Sequence, residues 1–209
     1  MDPDDRSLPL RERKRLRTRR SLADTALRLF AERGFDATTV DELVDAAEVS
    51  RSTFFRTFAT KEAAAVEAET ELWAAYLAAV PSRARAGTVL DALRDSLIAA
   101  VDGLPGDWDA RYVATRRLIL TTPGLLGYVE YHRTGVERDV IGALATELGL
   151  DADDLRLRIL AELATTAWSI AGRDWVRADG AGGRPGLADR LRAAFAAIPL
   201  SLGLAAGSR

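Results

Sequence analysis

Apolar residues recur at intervals of three and four positions along most of the chain, which is the spacing of one helix face. Beyond residue 80 the sequence shows neither the alternation of half-buried strands nor the dipeptides of tight hairpins. Glycine and proline interrupt the pattern and mark turns between the segments. We therefore predict an all-α protein. Helices are expected at residues 10–34, 39–47, 50–58, 60–80, 88–103, 109–121, 123–148, 152–176 and 186–204.

Residues 38–61 carry three helix-start signals in succession. Thr39 and Glu42 form a T-x-x-E capping box, in which the hydroxyl accepts from a backbone amide and the carboxylate reaches back. Ser50 and Thr60 are placed to cap two further helices. Two short helices joined by a tight turn and followed by a third are the arrangement of a helix-turn-helix motif.

The predicted helix at residues 50–58 has one aromatic edge and one polar face. Phe54 and Phe58 lie four positions apart and are expected to face the core. The remaining side chains offer hydroxyls, guanidinium groups and one ring to solvent: Arg51, Ser52, Thr53, Phe55, Arg56 and Thr57. Recognition in the major groove of DNA requires such a surface.

The net charge of −2 hides an uneven distribution. Residues 6–20 contain eight Arg or Lys and one acidic residue, Glu12. Such a concentration of positive charge favours contact with a polyanion. A solvated tail without a partner is the alternative. The neighbouring helix-turn-helix pattern favours an arm that reaches phosphates or the minor groove.

The N-terminal part of the chain resembles the helix-turn-helix domain of the TetR family of bacterial transcriptional regulators. The likeness runs over about residues 19–63, through LFAERGF at residues 29–35, TTVDEL and STFFRTF-x-x-K. Three positions depart from the family pattern. Glu48 stands for the usual Gly of the turn, Phe55 for the usual Tyr, and Thr57 for a frequent His or Tyr.

The resemblance implies a nine-helix architecture with two domains. Residues 1–62 would form a basic arm and a three-helix DNA-binding domain, and residues 63–209 a six-helix domain for ligand binding and dimerisation. The helix predicted at residues 60–80 would be shared by both and act as a lever. The implied partner is a double-stranded DNA operator. The residues expected to contact it are Arg19, Thr38, Thr39, Ser50, Arg51, Ser52, Thr53, Phe55, Arg56, Thr57 and Lys61.

Composition narrows the classes of function. The chain has no cysteine and a single histidine, so disulfides, thiolate sites and multi-histidine metal sites are excluded. The N-terminus lacks the apolar segment of a signal peptide, and the apolar run at residues 193–207 is too short and too broken to span a bilayer. We expect a cytoplasmic protein without cofactor or metal. An enzyme is disfavoured, because no nucleophile–base pair or carboxylate pair stands out.

The last two predicted helices are expected to form a homodimer interface. The helix at residues 152–176 is apolar on two faces, as expected for a helix packed on two sides. Pairing both helices with their symmetry mates gives a four-helix, isologous interface. Ordinary core packing in a monomer is the alternative. The expected interface residues are Leu160, Ala164, Trp168, Leu187, Leu191, Ala194, Phe195 and Ile198.

Aromatic and cationic residues after residue 62 define an expected effector pocket. The segment TRRLILTTPGLL and a late Trp are similar to TetR members with an acyl-CoA-like ligand-binding domain. That likeness implies a long apolar ligand with a charged head. Core packing is the alternative for each aromatic residue taken singly. The expected pocket residues are Trp73, Tyr76, Trp108, Tyr112, Arg116, Tyr128, His132 and Trp168.

The sequence thus predicts a dimeric, ligand-responsive transcriptional regulator. We expect a repressor that binds a pseudo-palindromic operator and is released by a small lipophilic or acyl-CoA-like effector. An architectural or constitutive DNA-binding protein without a ligand is the second hypothesis, and an all-helical enzyme is the third. Loss of operator affinity on addition of a ligand separates the first hypothesis from the second.

Overall fold

The computed structural model describes residues 9–83 and 87–204, with the backbone alone at residues 82 and 83. The secondary structure of these residues is entirely α-helical, which confirms the all-α prediction. No helix within them is long and apolar enough to cross a lipid bilayer. The described helices are α1 (Leu10–Arg33), α2 (Val40–Ala46), α3 (Arg51–Thr57), α4 (Lys61–Ala65), α5 (Glu67–Arg83), α6 (Val89–Gly103), α7 (Trp108–Thr121), α8 (Pro123–Leu148), α9 (Leu155–Arg177) and α10 (Gly183–Leu202).

The helices pack into two compact units. The first unit contains the described residues up to Thr70 together with Pro105–Val129. The second contains Glu71–Leu104 together with the described residues from Glu130 onward. Helix α7 therefore packs with the N-terminal helices. The predicted domain division at residue 62 stays a prediction, since a packing unit need not fold independently.

The first unit encloses a small apolar core between capped helices. The Thr39 hydroxyl accepts a hydrogen bond from the Glu42 amide at 3.3 Å, and the Glu42 carboxylate accepts one from the Thr39 amide at 2.8 Å. This is the predicted capping box. The bonds from the backbone and side chain of Thr39 lower the pKa of Glu42. The core consists of Leu22, Ala23, Ala26, Leu29, Phe30, Phe35, Leu43, Val44, Phe54, Phe58, Ala64, Ala65, Val66, Ile119, Leu125 and Val129.

The turn between α2 and α3 is closed by a residue other than glycine in the left-handed conformation. Glu48 has a φ of 53°. Its amide donates to the Asp45 carbonyl at 3.2 Å, and the Val49 amide donates to the Val44 carbonyl at 3.0 Å. These two bonds form a Schellman motif with Glu48 at the position that glycine usually fills. The turn therefore closes in the ordinary way, with a conformational cost at Glu48.

We expect Glu48→Gly to stabilise the protein by roughly 0.5–1 kcal/mol. The left-handed conformation costs an L-residue roughly 1–2 kcal/mol, and the entropy of glycine cancels part of the gain. Glu48 is exposed, so the substitution removes no packing. Urea unfolding of Glu48→Gly is compared with Glu48→Ala, which removes the same side chain without the conformational freedom. Equal stability of the two variants would contradict a cost at this turn.

The prediction of a single lever helix at residues 60–80 is wrong, because the structure has two helices there, α4 and α5. Val66, with a φ of −107° and a ψ of 20°, separates α4 from α5. Thr60 caps α4 as predicted, by accepting from a backbone amide at 3.2 Å. Helix α5 continues through Pro81, at which the pattern predicts its end. The break at Val66 accounts for ten described helices where nine are expected.

The second unit buries one side of each amphipathic helix. Helix α6 turns Leu93 and Leu97 fully inward. Its C-terminal end is held by α10, because the guanidinium of Arg184 donates to the carbonyls of Asp102 and Leu104 at 3.1 and 2.6 Å. A cation is favoured at this end of a helix, where carbonyls lack amide partners.

Two helices of the second unit begin at positions other than the predicted ones. Helix α9 begins at Leu155, because the Asp154 carboxylate caps it by accepting from the Arg156 amide at 2.9 Å. Helix α10 begins at Gly183, inside the segment predicted as a glycine-rich loop, and it continues through Pro199.

Candidate nucleic-acid interface

Helix α3 is held by its aromatic edge and by its N-terminal cap. Phe54 and Phe58 are buried, with ring centroids 6.0 Å apart, as the sequence pattern predicts. The Ser50 hydroxyl accepts from the Thr53 amide at 3.1 Å, which confirms the predicted cap. Packing fixes the inner side of the helix and the cap fixes its first turn, so its outer side has a defined orientation.

The outer side of α3 is polar apart from one ring. Phe55 is 48% exposed and meets the buried Phe54 ring edge-on. Arg51 is bound to α2, since its Nη1 lies 2.9 Å from Oδ1 of Asp41. Both partners of that ion pair are exposed, and exchanging an exposed carboxylate for a base edge costs little. The outward side chains, all exposed or half-buried, are Arg51, Ser52, Thr53, Phe55, Arg56 and Thr57.

Thr38 and Lys61 support the loop before α2. The buried Thr38 hydroxyl donates to the Gly34 carbonyl at 2.8 Å. The expected DNA contact of Thr38 stays a prediction, and its hydroxyl would have to leave this bond to donate to a phosphate. The Lys61 ammonium donates to the carbonyls of Phe35 and Thr38 at 2.8 and 3.0 Å. One N–H of Lys61 is then left for a phosphate. Thr39 is exposed at the start of α2.

The guanidinium of Arg19 is engaged inside the protein. Its Nε and Nη2 donate to the Glu67 carboxylate, with Nη2 2.6 Å from Oε2. Its Nη1 donates to the carbonyl of Thr57, the last residue of α3, at 2.8 Å. The resemblance implies that Arg19 contacts DNA, yet its charge is balanced here by a carboxylate that is only 5% exposed.

A groove of about 550 Å³ lies between α1 and α3. The basic segment, expected as an arm or a solvated tail, is helical from Leu10 onward, and Arg6 lies outside the described residues. A helix holds the cations at fixed spacing beside α3, which suits contact with a phosphate backbone. This basic groove is lined by Arg11, Glu12, Lys14, Arg15, Thr18, Arg19, Thr53, Arg56 and Thr57.

Four of the expected effector residues belong to the first unit and have partners there. The indole N–H of Trp108 donates to a backbone carbonyl of α5 at 2.8 Å, and its ring stacks on Tyr112. Burial raises the pKa of Tyr128. Nη1 of Arg116 lies 2.9 Å from the buried carboxylate of Glu69. Glu69 thus forms an ion pair with the guanidinium of Arg116, the group that is expected to bind the charged head of a ligand.

The other four expected effector residues, Trp73, Tyr76, His132 and Trp168, belong to the second unit. Trp73 meets Tyr76 and Trp168 edge-on, with ring centroids 6.0 and 5.9 Å away. The Tyr76 hydroxyl is buried without a hydrogen-bond partner among the described residues, and burial raises its pKa. His132 is exposed beside the ring of Tyr131. Tyr76 therefore presents an unsatisfied polar group inside an aromatic cluster.

Most of the residues expected at a dimer interface face the core of the second unit. Ile159 and Ile170, on the opposite side of α9, are 49% and 44% exposed. The interface itself stays a prediction, and this burial favours the outer faces of the two helices over the expected side. Of the expected residues, those half-buried are Leu160, Ala194 and Ile198. Those buried within the chain are Ala164, Trp168, Leu187, Leu191 and Phe195.

Comparison with known proteins matches both parts of the chain. Residues 22–68 match the family model described as bacterial regulatory proteins of the tetR family. Residues 87–202 match the model described as the MftR C-terminal domain. The HTH-type transcriptional regulator TcmR of Streptomyces glaucescens is 36% identical over 196 residues, which are 85% of this chain and 83% of that protein.

Two solved structures share the fold at low sequence identity. Salmonella enterica GusR is 20% identical and has a TM-score of 0.53, with 88% of this chain and 95% of that chain covered. A putative TetR-family transcriptional regulator from Mesorhizobium loti is 17% identical and has a TM-score of 0.50, with 90% and 97% covered. Both likenesses support the all-α architecture of a helix-turn-helix followed by a helical domain.

Proposed function

Because the chain belongs to the TetR family of bacterial transcriptional regulators, we propose that it is a dimeric repressor released from its operator by a small effector. The observation that carries this proposal is the polar face of α3 beside the basic groove. In this arrangement α3 contacts base edges, and the exposed cations that α1 brings to the groove, Arg11, Lys14 and Arg15, contact phosphates. The proposed place of action is the cytoplasm, where bacterial DNA lies.

The proposed dimer is formed through the outer sides of α9 and α10. Leu155, Ile159 and Ile170 form an exposed apolar stripe on α9. The outer side of α10 carries Ala193 and Ala196, and small residues allow helices to approach closely. Two recognition helices in one symmetric dimer enter successive major grooves about 34–36 Å apart. The operator is then pseudo-palindromic.

The proposed effector site is centred on Trp73, Tyr76 and Trp168 in the second unit. An unsatisfied buried hydroxyl costs about 1–3 kcal/mol, which a polar group of a ligand would recover. The aromatic surroundings favour a lipophilic effector. An acyl-CoA-like identity rests only on the looser resemblance of the C-terminal sequence. The effector releases DNA to the extent that it binds the released state more tightly.

Selection of bound sequences from a random DNA pool tests the operator part of the proposal. We expect a site with two-fold symmetry, and a selected site without it would contradict a dimeric repressor. Addition of an acyl-CoA and lipophile panel to the selected complex tests the effector part, with release as the expected result. A symmetric site that no member of the panel releases would favour a constitutive DNA-binding protein without a ligand.

The outer side of α3 should determine base preference. We expect Arg51→Ala and Thr53→Ala to change which sequences are selected, because a base contact contributes about 1–3 kcal/mol of discrimination. Lys61→Ala should instead weaken binding to all sequences and reduce the salt slope of log K by about 0.9, the contribution of one phosphate contact. Both effects are measured by titration of the operator and of base-substituted operators over a range of salt.

A matched control for these variants is Arg28→Ala on the outer side of α1. Arg28 is exposed and lies 3.2 Å from Glu32. It is outside the basic groove and outside α3, so its loss should leave both base preference and salt slope unchanged. If Arg51→Ala and Lys61→Ala had equal effects on every sequence, the assignment of the base-contacting surface would be wrong.

A further inference from the structure

Two buried carboxylates lie in the first turn of α5, directly after the break at Val66. The side chains of Glu67 and Glu69 are each 5% exposed. Arg19 of α1 binds the first, and Arg116 of α7 binds the second. Burying a carboxylate is costly, and apolar residues of similar size often serve stability equally well. The pairs therefore suggest a role other than simple stabilisation.

The segment from Ala65 to Glu69 is held firmly from the side of α7. The Thr115 hydroxyl donates to the Ala65 carbonyl at 3.4 Å, and the Trp108 indole donates to the Ala68 carbonyl at 2.8 Å. Together with the Arg116–Glu69 ion pair, these bonds fix the backbone around Glu67. The backbone that carries the Glu67 carboxylate is thus tied to α7, so that this carboxylate is an anchor for the side chain that binds it.

Arg19 connects this anchor to the recognition helix. Its Nε and Nη2 donate to the Glu67 carboxylate, and its Nη1 donates to the Thr57 carbonyl at 2.8 Å. Thr57 ends α3, and carbonyls at a helix end lack an amide partner within the helix. The guanidinium carbon also lies 4.5 Å from the ring centroid of Phe58, which follows α3. One planar cation thus bridges the Glu67 carboxylate and the end of α3.

We propose that Arg19 and Glu67 form a positioning pair that fixes the C-terminal end of α3 for base recognition. Arg19 then acts on operator binding through α3, without a phosphate contact of its own. The inference rests on the proposed role of α3 in base recognition. The fork of an arginine suits this role, because one guanidinium serves a carboxylate and a carbonyl at once, which the single ammonium of lysine does less well.

The competing role for Arg19 is a phosphate contact. Arg19 lines the basic groove with Arg56, and its side chain remains 30% exposed. The two roles predict different effects of removing Arg19 on the salt dependence of binding and on the preference for the operator sequence. Loss of a phosphate contact weakens binding to all DNA and lowers the salt slope of log K by about 0.9. Loss of a positioning group lowers the preference for the operator over random DNA and leaves the slope unchanged.

A double-mutant cycle of Arg19→Ala and Glu67→Gln tests the proposal. Operator and random DNA are titrated at several salt concentrations, with melting temperatures recorded for each variant. We expect each single variant to bind the operator about tenfold more weakly, and the double variant to lose little more, because coupled residues are not additive. The salt slope should match that of the wild type. Arg28→Ala, which breaks an exposed ion pair on the same helix, should change none of these quantities.

A lower salt slope for Arg19→Ala, with normal affinity for Glu67→Gln, would overturn the proposal in favour of a phosphate contact. Additive losses in the double variant would also overturn it. If Arg19→Ala does not fold, Arg19→Lys keeps the charge and removes the fork, and the same loss of operator preference is expected. A wild-type protein without any operator preference would refute the proposed function itself, whereas wild-type preference with unaffected variants would refute only the positioning pair.

Discussion

Phe54→Ala is expected to lower the free energy of unfolding by about 3–5 kcal/mol, the range for removing a buried phenylalanine side chain. Phe54 is fully buried in the core of the first unit, where its ring packs beside that of Phe58. Stabilities of natural proteins are about 5–15 kcal/mol, so the loss is a large fraction of the total. Because the same ring orients α3, operator binding should fall as well. Urea unfolding and operator titration measure the two effects.

Phe55→Ala is the matched control, since it makes the same chemical change one position along the same helix. Phe55 is 48% exposed, and surface substitutions usually change stability by no more than about 0.5 kcal/mol. We expect near-normal unfolding with an altered base preference, because in the proposed function the exposed ring contacts a thymine methyl. Equal destabilisation by both substitutions would contradict the orientation of α3.

Ile159→Glu is expected to raise the dimer dissociation constant by at least about 100-fold. Ile159 lies in the exposed apolar stripe of α9, and an unpaired charge buried in an interface costs several kcal/mol. An isologous interface contains the substitution twice. Operator affinity should fall with dimerisation, because a linked pair of recognition helices binds the second half-site at high effective concentration. Analytical ultracentrifugation and operator titration measure the two effects.

Leu120→Glu provides the corresponding control. Leu120 lies on α7 in the first unit and is 68% exposed, so the change from leucine to glutamate occurs on a similarly exposed surface. The dimer should persist in this variant, and its melting temperature should stay near that of the wild type, whereas Ile159→Glu loses the stabilisation that dimerisation contributes. A monomeric wild type, or an undisturbed Ile159→Glu dimer, would contradict an interface on the outer side of α9.

The helix-turn-helix was predictable because its signals are local. The Thr39–Glu42 capping box and the Ser50 cap are bonds between residues three positions apart, and the structure contains both. The inward side of α3 followed from the spacing of two phenylalanines. Glu48 was located as a departure from a glycine position, and the structure gives it the positive φ that glycine adopts most readily. Short-range hydrogen bonds and helical periodicity can be recognised from the sequence, because the residues that form them lie within a few positions of one another.

Features that depend on distant partners escaped the sequence analysis. The stretch around Val66 is rich in helix-forming residues, yet the helix breaks where α1 and α7 bind its carboxylates and carbonyls. Arg116 was expected to meet a ligand, and its partner Glu69 lies 47 positions away. Glu67 and Glu69 were unexceptional as sequence, since only three-dimensional packing brings an arginine to each of these two residues.

The sequence by itself determined the all-helical class, the helix-turn-helix and the polar face of α3, because helix period and capping act within one or two turns. Only the tertiary structure decided which side of α9 and α10 is left exposed. A helix that is apolar on two faces has no local signal for the side that its own core covers. The same holds for Arg19, whose engagement with Glu67 depends on contacts between segments 48 positions apart.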